Sequence, residues 1–171
     1  MKIIAFAASN SSVSINKQLA RYTANLVDGA SVEVLDLNDF EMPIFSEDRE
    51  KEIGHHPLAI KFYEKLGSGD AIIIGYAEHN GSYSAAYKNI FDWTSRYNRE
   101  VFQNKPMILL ATSPGPSGAA NVLKQATDSA PFFAADVKAS LSVPSFYDNF
   151  KDGKIINLDL NNQLVDAVKS L

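Results

Sequence analysis

The 171-residue chain contains no cysteine, which excludes thiol catalysis, disulfide bonds and thiolate metal sites. No apolar run approaches the roughly 20 residues that a membrane-spanning helix needs, and residues 1–7 give way to polar residues too early for a signal peptide. The formal charge is −4 and no basic stripe is present, which argues against a nucleic-acid partner. We therefore expect a cytoplasmic protein that binds neither membranes nor nucleic acids.

Several known site motifs are also missing. The chain has no spaced glycines of a dinucleotide fingerprint, no Gly-Lys-Ser/Thr of a P-loop and no Gly-x-Ser-x-Gly elbow of a hydrolase. A phospho-acceptor receiver needs acids where 7–9 reads Ala-Ala-Ser and 75–77 reads Gly-Tyr-Ala. His55 and His56 lack the neighbouring ligands of a metal centre, and no metal site is predicted.

The composition is that of one globular domain. The chain is 46% hydrophobic and 21% charged, which is ordinary for a folded protein of this length. We predict a single domain over residues 1–171 with no linker.

Strand and helix patterns alternate five times along the chain. Predicted strands cover residues 2–7, 31–37, 71–75, 107–112 and 137–143; predicted helices cover 16–27, 57–66, the segment from 84, 118–135 with a break near Pro131, and the stretch around 160–171. Phe91, Trp93, Phe132 and Phe133 are interpreted as core residues. The chain has five βα units and no second set of such units. This predicts a flavodoxin-like, doubly wound three-layer α/β fold with a parallel five-stranded sheet in the order 2-1-3-4-5.

Three turns at predicted strand ends carry polar or flexible residues. The first holds Ser9, Ser11 and Ser14 ahead of a helix, where free amides and the helix dipole favour an anion; a plain polar turn capped by Ser14 is the alternative. The others are 77–82, whose Asn80-Gly81 allows positive φ, and 113–118. The carboxyl ends of parallel strands meet at one edge, which predicts a binding site there.

The connection from residue 38 to residue 56 is longer than a usual βα loop. It contains the apolar segment Met42-Pro-Ile-Phe45. We expect this loop to be functional or covered by a partner.

Residues 8–16, 77–82 with 88–93, and 113–118 resemble, in order and spacing, the NAD(P)H-dependent FMN reductases of flavodoxin-like fold, a family that includes quinone, azo and chromate reductases. The resemblance assigns FMN contacts to Ser9, Ser11, Ser14, Ile15, Asn16, Pro43, Ile44, Phe45, Glu78, His79, Asn80, Gly81, Ser113 and Gly115. The single phosphate of FMN suits the first turn better than a pyrophosphate does.

The resemblance also implies an activity and partners. NADPH or NADH would be the electron donor, and a small-molecule acceptor (free flavin, quinone, azo compound or metal oxyanion) would be reduced by ping-pong hydride transfer. The flavin would carry the chemistry, so no catalytic side chain is assigned. Packing of the 42–45 loop against a second subunit implies a homodimer, or a dimer of dimers.

The chain departs from the family's pattern at four positions. Ala8 stands where the family has glycine, Ser11 where it has arginine, Ala77 where it has proline and His79 where it has tyrosine. Two alternatives therefore stay open: a flavodoxin-like electron carrier, and a flavin-free interaction protein.

Overall fold

The computed structural model describes all 171 residues and is built on a parallel five-stranded sheet. The strands are β1 (Lys2–Ala8), β2 (Ser31–Leu35), β3 (Ala71–Tyr76), β4 (Lys105–Thr112) and β5 (Ala135–Val143). Their order is β2-β1-β3-β4-β5, and every pairing is parallel. The predicted flavodoxin-like topology is confirmed.

Seven helices connect or flank these strands. They are α1 (Ile15–Ala24), α2 (Glu47–Ile53), α3 (Pro57–Gly67), α4 (Ala85–Tyr97), α5 (Ala120–Ser129), α6 (Phe146–Asn149) and α7 (Leu158–Val168), with 3-10 turns at Leu37–Phe40 and Ala130–Phe133. A small hairpin, β6 (Phe150–Lys151) and β7 (Lys154–Ile155), follows α6. None of these helices combines the length and apolar character needed to span a membrane.

The core lies in two layers, one on each side of the sheet. Alternate residues of β1 point to opposite faces: Ile3 packs with α1 and α7, whereas Ile4 packs with α3, α4 and α5. The central strands β1 and β3 are buried almost along their whole length, while β2 and β5 at the sheet edges are partly exposed.

The structure differs from the sequence-based expectations in the connections. Helix α1 ends at Ala24, and α5 spans ten residues before a 3-10 turn. The long 38–56 connection contains α2, a helix with no buried residue whose start is capped by Ser46. Phe132 was predicted in the core, but it lies in the turn after α5 and is 70% exposed.

Candidate cofactor site at the carboxyl edge of the sheet

The turns after β1, β3 and β4 meet at the carboxyl edge of the sheet and line a cleft of about 300 Å³. Its lining residues are Ser9, Ser11, Val13, Ser14, Ile15, Asn16, Ala77, Glu78, His79, Thr112, Ser113, Pro114 and Tyr147. We call this the edge cleft. The sequence placed all three turns together, but Asn80, Gly81, Gly115 and the 43–45 segment lie outside the lining.

The start of α1 is fixed against the neighbouring strands by two features. A Cβ on Gly75 of β3 would lie 2.4 Å from the carbonyl oxygen of Asn16, so only glycine permits this approach. The buried Asn16 side chain donates to the Thr112 carbonyl at 3.1 Å and accepts from the Thr112 N–H at 2.9 Å. The side chain of Asn16 is thus a clamp between α1 and β4, although the residue also lines the edge cleft.

Backbone amides without a protein acceptor lie where α1 begins, next to the cleft. The Ser14 hydroxyl caps the helix by accepting from Lys17 N–H at 3.1 Å, and Ser11 N–H donates to the Ser9 hydroxyl at 3.1 Å. No protein acceptor is present for the N–H groups of Ser12, Val13, Ile15 and Asn16. The first turn therefore offers several donors to an external anion.

Helix α5 begins next to Glu78, a lining residue of the cleft, and this side chain already bonds the first turn of the helix. Its N-cap, Ala119, is left-handed and has no capping side chain. Instead, the Glu78 carboxylate accepts from Val122 N–H at 2.9 Å and from the Asn121 amide at 3.3 Å. A carboxylate is well suited to this end of a helix dipole, and it ties the turn after β3 to α5.

The turn after β3 is a tight hairpin. His79 N–H donates to the Ser82 carbonyl at 2.9 Å, and Ser82 N–H returns a bond to the His79 carbonyl at 3.1 Å. Asn80 and Gly81 have φ of 52° and 79°, the double left-handed conformation of a type I′ turn. The backbone conformation expected for Asn80-Gly81 is present, but these two residues form an exposed tip.

No lysine or arginine lines the edge cleft. Lys17 in the first turn of α1 pairs instead with Asp36 at 2.6 Å. The hydrogen bond from Lys17 is the main cause that lowers the pKa of Asp36. Any positive potential in the cleft therefore comes chiefly from the amides and dipole of α1.

The loop 42–45 is held by α4. The Asn89 amide donates to the Pro43 carbonyl at 3.1 Å and its oxygen accepts from Phe45 N–H at 2.8 Å. The Trp93 indole donates to the same Pro43 carbonyl at 2.7 Å, and its ring meets Phe45 edge-on. The side chains of Asn89 and Trp93 therefore hold Pro43 and Phe45 against α4.

A second cleft, of about 220 Å³, separates this loop from the first turn. Ile44 lines it and is 70% exposed, and Asn10 of the first turn lines its other side. The Asn38 amide donates to the Asn10 carbonyl at 3.1 Å. The predicted loop residues therefore border the first turn without entering the edge cleft.

Tyr147 was not predicted as a site residue, yet it lines the edge cleft. It lies on α6, which is attached to the turn after β4 by bonds from Ser145 N–H to the Gly115 carbonyl at 2.9 Å and from Phe146 N–H to the Ser113 carbonyl at 3.0 Å. Gly115 thus serves as an attachment point for α6. The sequence signal available was the Asp-Gly turn at 152–153, which marks the hairpin behind α6.

Comparisons with known proteins agree with this arrangement. The family model for NADPH-dependent FMN reductase matches residues 1–148. An NAD(P)H-dependent FMN reductase of Pseudomonas aeruginosa is 31% identical over 70% of this chain and 64% of its own length. An NADPH:quinone oxidoreductase of Arabidopsis thaliana is 29% identical over 69% of this chain and 61% of its own.

The fold comparison points the same way. FerB, a flavoenzyme NAD(P)H:(acceptor) oxidoreductase from Paracoccus denitrificans, superposes with a TM-score of 0.77 at 20% identity, covering 98% of this chain and 93% of that one. At this identity the likeness shows the fold. The chain spans less than two thirds of the length of the two sequence relatives. The match over residues 1–148 nevertheless establishes that the chain belongs to the NADPH-dependent FMN reductase family.

Proposed function

We propose that this protein is an FMN-dependent NAD(P)H oxidoreductase that binds FMN in the edge cleft. The observation that carries the proposal is a difference between two helix starts. The first turn of α1, at the cleft, has amides without protein acceptors, whereas the first turn of α5 is already bonded to the Glu78 carboxylate. One anion-binding turn matches one phosphate monoester. Family membership supports the same cofactor.

The residues present fit FMN. Ser9 and Ser11 add hydroxyls beside the α1 amides, and these small side chains leave room for phosphate oxygens. The turn containing Glu78 and His79 and the turn containing Ser113 would form the walls on either side of the ring. Amides, and no arginine, would hold the phosphate, so binding should depend only weakly on salt.

When bound, FMN supplies hydride acceptance from NADH or NADPH and electron donation to a quinone, azo compound, free flavin or metal oxyanion. The chain's residues bind and orient it. Glu78 is engaged with α5, which leaves His79 and Tyr147 as the titratable side chains at the cleft without a protein partner. We assign no acid or base to the reaction, and we propose that donor and acceptor use the same cleft in turn.

We further propose a homodimer that covers Ile44. This side chain is 70% exposed on a loop that Asn89 and Trp93 hold in place. A fixed apolar side chain beside a cofactor site is a suitable contact for a second subunit. Light scattering at micromolar concentration should give twice the monomer mass, and Ile44→Asp should lower it; a monomeric wild type would contradict this proposal.

Reconstitution tests the proposed function. The purified chain should bind FMN more tightly than riboflavin, because only FMN carries the phosphate. NADH or NADPH should then bleach the flavin absorbance, a quinone should restore it, and initial rates should give parallel double-reciprocal lines. Equal affinity for both flavins would remove the phosphate assignment, and bleaching by dithionite but not by either nicotinamide would indicate an electron carrier.

A further inference from the structure

A cavity of about 250 Å³ between α4 and α5 shares no lining residue with the edge cleft. It exists because α4 packs closely on α3, while no comparable contact joins α4 to α5. Its aromatic lining consists of Tyr76, Tyr83, Tyr87, Phe91, Phe102 and Phe133. We call it the tyrosine cavity, and the proposed oxidoreductase reaction does not use it.

Three phenols converge on one part of this cavity. The ring centroids of Tyr76, Tyr83 and Tyr87 lie 5.3–5.8 Å apart. The Tyr83 hydroxyl lies 3.2 Å from the Ser129 hydroxyl and so bridges the start of α4 to α5. Burial raises the pKa of Tyr76 and of Tyr87. Both phenols therefore remain neutral at physiological pH. A side-chain hydrogen bond joins them, so one hydroxyl proton of the pair is left to donate to a ligand.

The rest of the lining is aromatic or aliphatic, uncharged polar (Ser95, Gln125 and Ser129) or paired in charge. Phe91 packs against Phe133 at 4.7 Å and Phe102 at 5.8 Å between ring centroids. The charged residues of the lining are Lys88 and Asp92, which pair with each other at 2.7 Å. Because no net charge faces the cavity, it favours an uncharged occupant.

The volume limits the size of that occupant. An apolar cavity of roughly 150 Å³ can hold benzene, and pockets for drug-sized ligands begin near 300 Å³. A cavity of about 250 Å³ therefore suits one or two fused rings. Aromatic walls favour a flat ring system, and the phenols favour a compound with a polar oxygen at its edge.

We propose that the tyrosine cavity binds an uncharged aromatic compound of one or two rings that carries a carbonyl or hydroxyl oxygen, held by a hydrogen bond from the joined phenols of Tyr76 and Tyr87. Tyr76 directly precedes Ala77 of the edge cleft, and Tyr83 directly follows Ser82, which closes the β3 hairpin. The cavity thus lies behind the turn that borders the edge cleft. It is a second ligand site, independent of the flavin.

The probe for this site is 2-naphthol, which has two rings and one hydroxyl and does not accept electrons from reduced flavin. Calorimetric titration of the full chain should give one site per chain, with the same affinity before and after saturation with FMN. Tyr87→Phe keeps the ring and breaks the joined pair of hydroxyls that holds the ligand oxygen, so it should weaken binding about five- to tenfold.

Cavity filling supplies the decisive variant. Ala126 lines the cavity and is 1% exposed, so the larger side chain of Ala126→Leu should occupy the space and weaken 2-naphthol binding by at least about tenfold. Ala120→Leu, on the exposed surface of the same helix, should bind as the wild type does. Thermal denaturation of each variant confirms folding, and Tyr87→Phe decides the matter if Ala126→Leu does not fold.

Three results would overturn the proposal. The first is unchanged binding in both Ala126→Leu and Tyr87→Phe. The second is competition between 2-naphthol and FMN, which would place the probe in the edge cleft. The third is affinity that falls as chain concentration rises through a self-association transition, which would show that a second copy covers the cavity. None of these results depends on nicotinamide oxidation, so failure of this site and failure of the proposed reaction are distinguishable.

Discussion

Helix α1 begins at the edge cleft and α5 begins next to Glu78, a lining residue of that cleft, and the first turns of the two helices are used in opposite ways. At α1 the chain supplies a cap, Ser14, and leaves other amides without acceptors. At α5 no local side chain caps the helix, and Glu78 arrives from the turn after β3 to accept from Val122. The two helix starts thus differ in what the chain leaves open, and this difference is the reason for proposing an anion site at α1.

The largest expected effect comes from breaking the two hydrogen bonds that join Asn16 of α1 to Thr112 of β4. Asn16→Leu would leave the buried N–H and carbonyl of Thr112 without their partners, which should cost roughly 2–4 kcal/mol of unfolding free energy. FMN affinity should fall as well, because the amides of α1 would no longer be fixed. Urea denaturation measures the first effect. Asn25→Leu, an exposed position at the end of the same helix, is the control, and equal stabilities for the two variants would contradict the clamp.

Adding charge to α1 should sharpen the contrast between the helices. Ser11→Arg supplies a charge-assisted contact to phosphate, roughly 1.5–3 kcal/mol or about ten- to a hundredfold in dissociation constant. Calorimetry should show tighter FMN binding with greater salt dependence, and almost unchanged riboflavin binding. Ser170→Arg, outside the cleft, controls for net charge. Equal shifts for both flavins would mean that this turn holds no phosphate.

Removing the Glu78 carboxylate should make the first turn of α5 resemble that of α1, with an amide that lacks a protein acceptor. Glu78→Ala leaves Val122 N–H without its acceptor and should cost about 1 kcal/mol of stability. Sulfate should then stabilise the variant more than it stabilises the wild type, because the helix start becomes open to an external anion. Glu78→Gln retains an acceptor oxygen and should lose less. Identical sulfate responses in Glu78→Ala and wild type would show that the carboxylate does not occupy this turn.

The smallest effect concerns the pair between Lys17 and Asp36 on the α1 side. Lys17 lowers the folded-state pKa of Asp36, so the pair adds stability above the unfolded pKa of about 3.9. That contribution is lost as the pH falls through the lower folded pKa. Because both side chains are partly exposed, Asp36→Asn should cost roughly 0.2–1 kcal/mol at pH 7. The difference from wild type should vanish in strong acid, and a difference that stays constant with pH would exclude the pair as its source.

The strand order was predictable because the apolar strands and the intervening helical patterns dictate a parallel sheet with right-handed crossovers. Helix α2 was missed because it buries no side chain, so it has no apolar period; its signals were Ser46 at the N-cap, acidic residues in the first turn and Gly54 at the C-cap. Phe132 was misplaced because residue type alone does not fix which side of a 3-10 turn faces solvent.

The site was predictable in outline and not in its contacts. Strand ends located the three turns, but the bonding of Glu78 to a residue 44 positions away has no local signature. Tyr147 was missed for a related reason. Its helix is attached through backbone groups of Ser145 and Phe146, and backbone hydrogen bonds between distant segments leave no pattern of residue types.

The Asn16 clamp also bears on the order of folding. Its two hydrogen bonds join residues 96 positions apart, and closing so long a loop costs entropy that neighbouring contacts must first offset. We therefore expect the first turn to become rigid after β4 has joined the sheet, which would complete the cleft late on the folding pathway. Flavin should therefore lower the unfolding rate when it is present during unfolding, and it should leave the refolding rate unchanged when it is present during refolding.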